Sequence, residues 1–300
     1  MAESTGSIEF FARYNSWIAA RTMDINEGTT PKDVARFLIA VREDTDRKAF
    51  EILGINLKEI DAYSDTATKN LPKGSYMELV SIYKTLGSAD VEEVVNRASY
   101  AREELKPFAK AYLLRSALEK LGLDHYITRK NRAFAGNGGT TKSDGQVPFQ
   151  SQGIVFTAKY GEWISIKKMS IDGRTKPEEV AAHLSSIRRA CERKSAEILG
   201  LDTGILESYA ADMTANMRKS AANLEKITRA LDEAGAIKAA EDSCKGDQSL
   251  SDAARTYLFS IMLRNLKLDL EVSPDTLMDM FPGLKIPKPR GRMPGQKKRQ

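Results

Sequence analysis

The sequence has few cysteines and lacks long apolar runs. Its two cysteines, Cys191 and Cys244, lie far apart and form neither a disulfide framework nor a metal-type spacing. No apolar run approaches the roughly 18 residues that span a bilayer. The N-terminus MAESTGSIEFF has no basic stretch followed by an apolar one, so it does not resemble a secretory signal. We therefore expect an intracellular, cytoplasmic protein with no membrane partner.

The sequence also lacks a recognisable catalytic signature. It has only two histidines, His125 and His183, and neither has Cys, Asp or Glu neighbours at metal-ligand spacing. The segment GNGGTTKS, at 136–143, resembles the end of a phosphate-binding loop. It has Thr141 where glycine must precede the lysine, and it suits a linker better. The sequence therefore predicts no catalytic residue, no metal site and no cofactor.

A tandem duplication is the strongest pattern in the chain. Residues 8–70 align without a gap on residues 154–216, with 23 identities in 63 positions, where chance would give roughly 4. The only two tryptophans repeat within YNSWIAARTM and YGEWISIKKM. We predict two copies of one domain, 1–134 and 151–284. A Gly-, Thr- and Ser-rich linker over 135–150 joins them.

Each copy contains one clearly predicted helix. Thr30 suits the cap, Pro31 suits the first turn, and apolar residues follow at helical spacing until Gly54. Pro177 and Gly200 begin and end the same pattern in the second copy. These signals predict long helices over about 31–53 and 177–199.

The opening segment of each copy is more ambiguous. Phe10, Tyr14, Trp17 and Ile18 fit one helical face, whereas the ISI of the second copy, at 164–166, tolerates a strand. The repeat as a whole favours helix. We therefore predict an all-α protein, with two tandemly duplicated helical-bundle domains and a disordered basic C-terminal tail.

Positive charge is concentrated at the C-terminus. Residues 285–300 hold seven cations and no acid, spaced by Pro and Gly, and such composition cannot build a core. Three further cations lie close to the linker. The candidate nucleic-acid-binding residues are Lys285, Lys288, Arg290, Arg292, Lys297, Lys298 and Arg299 of the tail, with Arg129, Lys130 and Arg132.

Three cations also recur at equivalent positions of the two copies. They are Arg42, Arg47 and Lys48, and Arg188, Arg193 and Lys194. Because Glu51 and Glu197 recur four residues after Arg47 and Arg193, exposed ion pairs along the helix are one interpretation. A phosphate-contacting surface repeated along the chain is the other.

These features favour a nucleic-acid-binding structural protein. A flexible polycation releases counterions when it neutralises phosphates, so we expect electrostatic binding with weak sequence specificity and RNA favoured over DNA. A nucleocapsid or coat-type role with self-assembly, in the cytoplasm, the nucleus or a virion, is consistent with this. A bivalent protein-interaction scaffold is the alternative, and an enzyme with its active site between the two halves is the second alternative.

Overall fold

A computed structural model describes residues 6–69, 89–121, 151–215, 217, 224–231 and 233–267. In chain order the elements are β1 (Gly6–Tyr14), β2 (Trp17–Ile25), α1 (Pro31–Ile52), α2 (Leu57–Ala67), α3 (Ala89–Ala98), α4 (Lys106–Lys120), β3 (Gly153–Tyr160), β4 (Trp163–Ser170), α5 (Pro177–Ile198), α6 (Thr203–Thr214), α7 (Leu224–Ala230), α8 (Ala234–Ser243) and α9 (Ser251–Asn265). Short 3₁₀ turns, Glu103–Leu105 and Gln248–Leu250, precede α4 and α9.

The predicted all-α fold is wrong, because each copy begins with a β-hairpin. The two hairpins form one antiparallel sheet of order β2-β1-β3-β4. Burial in β1 alternates with period two, and Ile8, Phe10 and Ala12 face the core. This alternation is the signature of a strand with one face solvated. The protein is therefore of mixed α/β class, with helices packed on one side of the sheet.

The repeated Tyr-x-x-Trp marks the turn of each hairpin. Tyr14 pairs directly with Trp17, and Tyr160 with Trp163, across a two-residue loop. The first loop residue has positive φ, 53° at Asn15 and 56° at Gly161, a conformation that Asn and Gly adopt most readily. The apparent helical spacing of Phe10, Tyr14 and Trp17 was therefore misleading, because the chain reverses between Tyr14 and Trp17.

The two halves meet about a pseudo-twofold axis in the middle of the sheet. Strands β1 and β3 pair so that Phe10 lies opposite Phe156, its own equivalent in the repeat. Both side chains are fully buried and belong to one continuous core. Below the sheet, α1 and α5 pack along each other. The arrangement matches the isologous interface of a homodimer, here within one chain.

The predicted long helices are confirmed by α1 and α5. The backbone N–H of Asp33 donates to the Thr30 hydroxyl at 3.2 Å, which caps α1. Gly54 and Gly200 follow the helix ends with φ of 88° and 103°, the left-handed conformation typical after a helix C-terminus. Both helices therefore have the boundaries that their sequence signals indicate.

The remaining helices extend the core outward from these two. In the first half α2 packs against α3 and α4, and in the second half α6 and α8 pack against α9. Among the described helices, none combines the length and the apolar character that crossing a membrane requires. The predicted linker, 135–150, and the predicted tail, 285–300, lie outside the described residues.

Because the halves share a sheet and a core, we expect them to unfold together. Phe10→Leu should lower the free energy of unfolding by about 1–2 kcal/mol, as buried apolar contacts on the axis are lost. Trp17 and Trp163 supply one fluorescent probe in each half, so urea denaturation can be followed separately in Trp163→Phe and Trp17→Phe backgrounds. We expect Phe10→Leu to shift both midpoints equally. A shift confined to the Trp17 signal would contradict a single folding unit.

Candidate anion-binding groove

Two of the six repeated cations are buried between the halves. Arg42 Nη1 lies 3.4 Å from Glu192 Oε1, and Arg188 Nη1 lies 3.7 Å from Asp46 Oδ1. Asp46 and Glu192 are themselves equivalent positions in the repeat, so the two pairs are related by the pseudo-twofold axis. The side chains of Arg42 and Arg188 are only 11% and 3% exposed. These arginines therefore join α1 to α5 and are not part of an open basic surface.

The next equivalent pair, Arg47 and Arg193, shares one type of carboxylate partner and differs in another. Arg47 donates to Asp61 at 2.9 Å and to the Tyr112 hydroxyl at 3.1 Å, whereas Arg193 donates to Glu197 at 3.1 Å. The predicted i,i+4 ion pair is thus present in the second half. In both halves the next helix also supplies a carboxylate: Asp61 of α2 in the first half and its equivalent, Glu207 of α6, which lies 3.6 Å from Arg193 in the second.

The third equivalent pair lies beside the two tryptophans. Lys48 and Lys194 place their ammonium groups 5.5 and 5.7 Å from the ring centroids of Trp17 and Trp163. Each ammonium also contacts a carboxylate on its own helix, Glu51 at 3.1 Å in the first half. Each indole therefore lies between the sheet and a cation of the long helix, an arrangement that favours positive charge at this position.

A groove opens between β4 and α5 in the second half, with a volume of about 400 Å³. Four cationic side chains and one carboxylate contribute to its wall. The lining residues are Trp163, Lys167, Ser186, Arg189, Ala190, Arg193, Lys194 and Glu197. Such a concentration of cations in a concave surface raises the local concentration of anions. The groove is therefore the strongest candidate for a binding site among the described residues.

Strand alternation places Lys167 on the groove side of the sheet. Trp163, Lys167 and Met169 lie on the more buried face of β4, while Ile164 and Lys168 lie on the exposed face. Two adjacent lysines thus point to opposite sides of the sheet. Lys167 has no ion-pair partner among the residues that the structure describes.

The equivalent place in the first half is occupied by an ion pair. Arg21, the counterpart of Lys167, donates from Nε to Asp44 Oδ2 at 2.6 Å and from Nη2 to Oδ1 at 3.2 Å. Asp44 corresponds to Ala190 in the second half. A bidentate carboxylate of the chain itself therefore neutralises the cation from the sheet in this half.

The two halves differ in charge at two adjacent positions of α1 and α5. Glu43 and Asp44 of the first half correspond to Arg189 and Ala190 of the second. The groove is not apparent from the residues that the two copies share. The available signal lay at the positions where the copies differ, above all the reversal of charge from Glu43 to Arg189.

His183 lies near the groove, where the first half has the buried Phe37. Burial, and secondarily the positive charge of Lys167, lower the pKa of His183 to about 4. Its Nε2 atom is buried without a hydrogen-bond partner among the described residues. His183 is therefore a neutral packing residue here, as expected from its exchange with Phe37.

The cysteines offer no reactive site. Cys191 and Cys244 are both buried free thiols, and burial raises the pKa of each. Raised values disfavour the thiolate, which is the reactive form. Within the described ranges no group of His, Cys, Asp and Glu converges in a way that could hold a metal ion.

The tail and linker cations of the sequence prediction lie outside the described residues. They are Lys285, Lys288, Arg290, Arg292, Lys297, Lys298, Arg299, Arg129, Lys130 and Arg132. Of the sequence-predicted cations, the structure brings Arg193 and Lys194 together in the groove, with Lys167 and Arg189 as new members.

Comparison with known proteins gives one family, matched once on each copy. The profile of a domain of unknown function, DUF2666, matches residues 5–133 and 151–281. The chain belongs to the DUF2666 family. The family description assigns no catalytic activity. The two matches follow the internal repeat.

Two relatives of this DUF2666 protein come from archaea. The uncharacterized protein MJ0596 of Methanocaldococcus jannaschii is 26% identical over 124 residues, which are 41% of this chain and 87% of that protein. The crystal structure of Pyrococcus furiosus PF2050, a DUF2666 member, is similar with a TM-score of 0.51 and 22% identity. The similarity covers 93% of this chain and 99% of that one. At this identity the likeness extends to the fold alone.

The lowered pKa of His183 predicts a pH-dependent stability. A folded-state pKa near 4, below the ordinary histidine value of 6.5, means that protonation favours the unfolded chain. The stabilisation is complete above pH 6.5 and is lost as pH falls toward 4. His183→Phe carries the first-half residue and cannot titrate. Between pH 7 and pH 4, the free energy of unfolding of the wild type should fall by about 2 kcal/mol more than that of His183→Phe, after allowance for partial exposure. Urea denaturation at several pH values measures this difference, and parallel pH profiles would contradict it.

Proposed function

We propose that this DUF2666 protein is an intracellular nucleic-acid-binding protein. It contacts phosphates through the groove between β4 and α5 and through the basic segment 285–300. The observation that carries the proposal is the groove, where Lys167, Arg189, Arg193 and Lys194 line one concavity with a single carboxylate. The seven cations of residues 285–300 support it independently.

Electrostatic attraction supplies most of the affinity in this proposal. Each phosphate that a lysine or arginine neutralises releases condensed counterions, so affinity falls as salt rises. Contacts to phosphates fix the position of a protein on a nucleic acid but do not read its sequence. Binding is therefore weakly sequence-specific, and the nucleocapsid-type packaging and self-assembly expected from the sequence stay predictions.

The alternative of a bivalent scaffold has less support. Bivalency requires two equivalent surfaces, and the cation-lined groove of the second half corresponds to an internal ion pair, Arg21–Asp44, in the first. The shared sheet also joins the halves into one body. An asymmetric binding protein fits these features better.

The test measures affinity for a generic oligonucleotide with a 5′-hydroxyl, either single-stranded RNA or double-stranded DNA, by fluorescence anisotropy across a salt series. Lys167→Glu should weaken binding about tenfold or more, because it reverses a charge in the groove. It should also reduce the slope of log affinity against log salt by about one. Deletion of residues 285–300 should reduce that slope further.

Lys168→Glu is the matched control. It makes the same charge change at the next residue but on the exposed face of the sheet, so we expect a much smaller effect. Circular dichroism verifies that each variant is folded. If the wild type does not bind at low salt, or Lys167→Glu and Lys168→Glu behave alike, the proposed role of the groove is wrong.

A further inference from the structure

The two halves differ in a way that indicates a specific ligand. We propose that the groove of the second half is a site for a phosphate monoester, such as a mononucleotide or a 5′-phosphorylated nucleic-acid end. The first half lacks the site because Asp44 takes the place of the ligand. This inference rests on the proposed function only in that both assign anion binding to the groove.

The shape of the groove follows from two rows of residues along α5. Helical spacing of four places Ser186, Ala190 and Lys194 in one row, and the small side chains of Ser186 and Ala190 leave space beneath β4. Arg189, Arg193 and Glu197 form the adjacent row. Lys167 approaches from the sheet, so cations surround the space from two secondary-structure elements.

The charge of the groove suits a dianion. Glu197 pairs with Arg193 at 3.1 Å and with Lys194 at 3.2 Å, and Glu207, outside the lining, lies 3.6 Å from Arg193. The lining itself holds four cations and one carboxylate. A phosphate monoester carries about −1.5 to −2 at pH 7 and three strong acceptor oxygens. An internal phosphodiester carries about −1, so it would neutralise such a cluster less completely. Arginine adds the bidentate geometry that phosphate oxygens favour.

Trp163 provides a wall for the organic part of the ligand. Its ring is tilted against Phe156 at a centroid distance of 6.5 Å, which fixes its orientation. A volume of about 400 Å³ lies within the range of about 300–1,000 Å³ for small-molecule sites. The Lys194 ammonium lies 5.7 Å from the centroid of this ring, so the indole and the cation together form an amphipathic wall, which suits an organic group attached to a phosphate.

In the first half, the position equivalent to the groove holds an internal ion pair. There the cation from the sheet, Arg21, has a bidentate carboxylate partner in Asp44. The second half has Ala190 at this position and an arginine, Arg189, where the first half has Glu43. The second half therefore lacks the acid Asp44 and has a base in place of the acid Glu43. These two changes replace an internally neutralised ion pair with a site for an external anion.

The experiment uses the full chain with Trp163 as its only tryptophan, in a Trp17→Phe background. Inorganic phosphate and adenosine 5′-monophosphate are titrated, with adenosine as the uncharged comparison, while Trp163 fluorescence and the heat of binding are followed. We expect saturable binding of both phosphates. Lys167→Glu should lose about tenfold or more in affinity, while Lys168→Glu should leave it unchanged. No saturable binding, or equal binding by the two variants, would overturn the proposal.

A second variant tests the reason for the asymmetry. Glu43→Arg with Asp44→Ala, in a Trp163→Phe background, gives the first half the two residues of the second. Phosphate should then change the fluorescence of Trp17, whereas we expect no change in the parent. A correctly folded double variant with an unresponsive Trp17 would overturn the role assigned to Asp44.

A comparison of two oligonucleotides separates this inference from the proposed function. The same sequence is offered with a 5′-phosphate and with a 5′-hydroxyl. We expect the 5′-phosphate to raise affinity about tenfold in the wild type and to have no effect in Lys167→Glu. Equal affinity for both ends overturns the monoester site and leaves general nucleic-acid binding intact. Binding of adenosine 5′-monophosphate without binding of the 5′-hydroxyl oligonucleotide supports the site and overturns the proposed function.

Discussion

The pairing of β1 with β3 is the constraint on which the rest of the structure depends. It aligns Phe10 with Phe156 on the pseudo-twofold axis and so fixes the position of each hairpin over its own long helix. The same axis relates the buried pairs Arg42–Glu192 and Arg188–Asp46 below the sheet. A buried ion pair costs desolvation and gains from good geometry, so these pairs fit only one mutual placement of α1 and α5.

Local signals predicted the helices well and the opening segments badly. Thr30, Pro31 and Gly54 have functions that depend on a few neighbouring residues, and α1 and α5 begin and end where these signals indicate. The opening segments are short and apolar, and their residues fit the periodicity of a helix as well as that of a strand. The decisive clue was the loop, since Asn15 and Gly161 tolerate the positive φ that a tight reversal needs.

The candidate site was only partly accessible from sequence because its charge depends on tertiary partners. Arg42 and Arg188 resembled surface cations, but packing buries them. Lys167 lies in a segment that the sequence predicted to be helical, and only the alternation of a strand places it on the groove side of the sheet. The matching positions reveal the duplication, yet the asymmetry of the groove depends on positions that do not match, such as Asp44 and Ala190.

Covalent fusion of the two halves has a consequence for how such a site can evolve. In a symmetric homodimer, every substitution enters both subunits at once, so a residue cannot stabilise one half and serve a ligand in the other. In this chain the equivalent positions are encoded separately. The carboxylate of Asp44 can therefore join one long helix to the sheet through Arg21, while Ala190 leaves room beside the other. An internal ion pair and the proposed ligand site can thus occupy equivalent places in two copies of one domain.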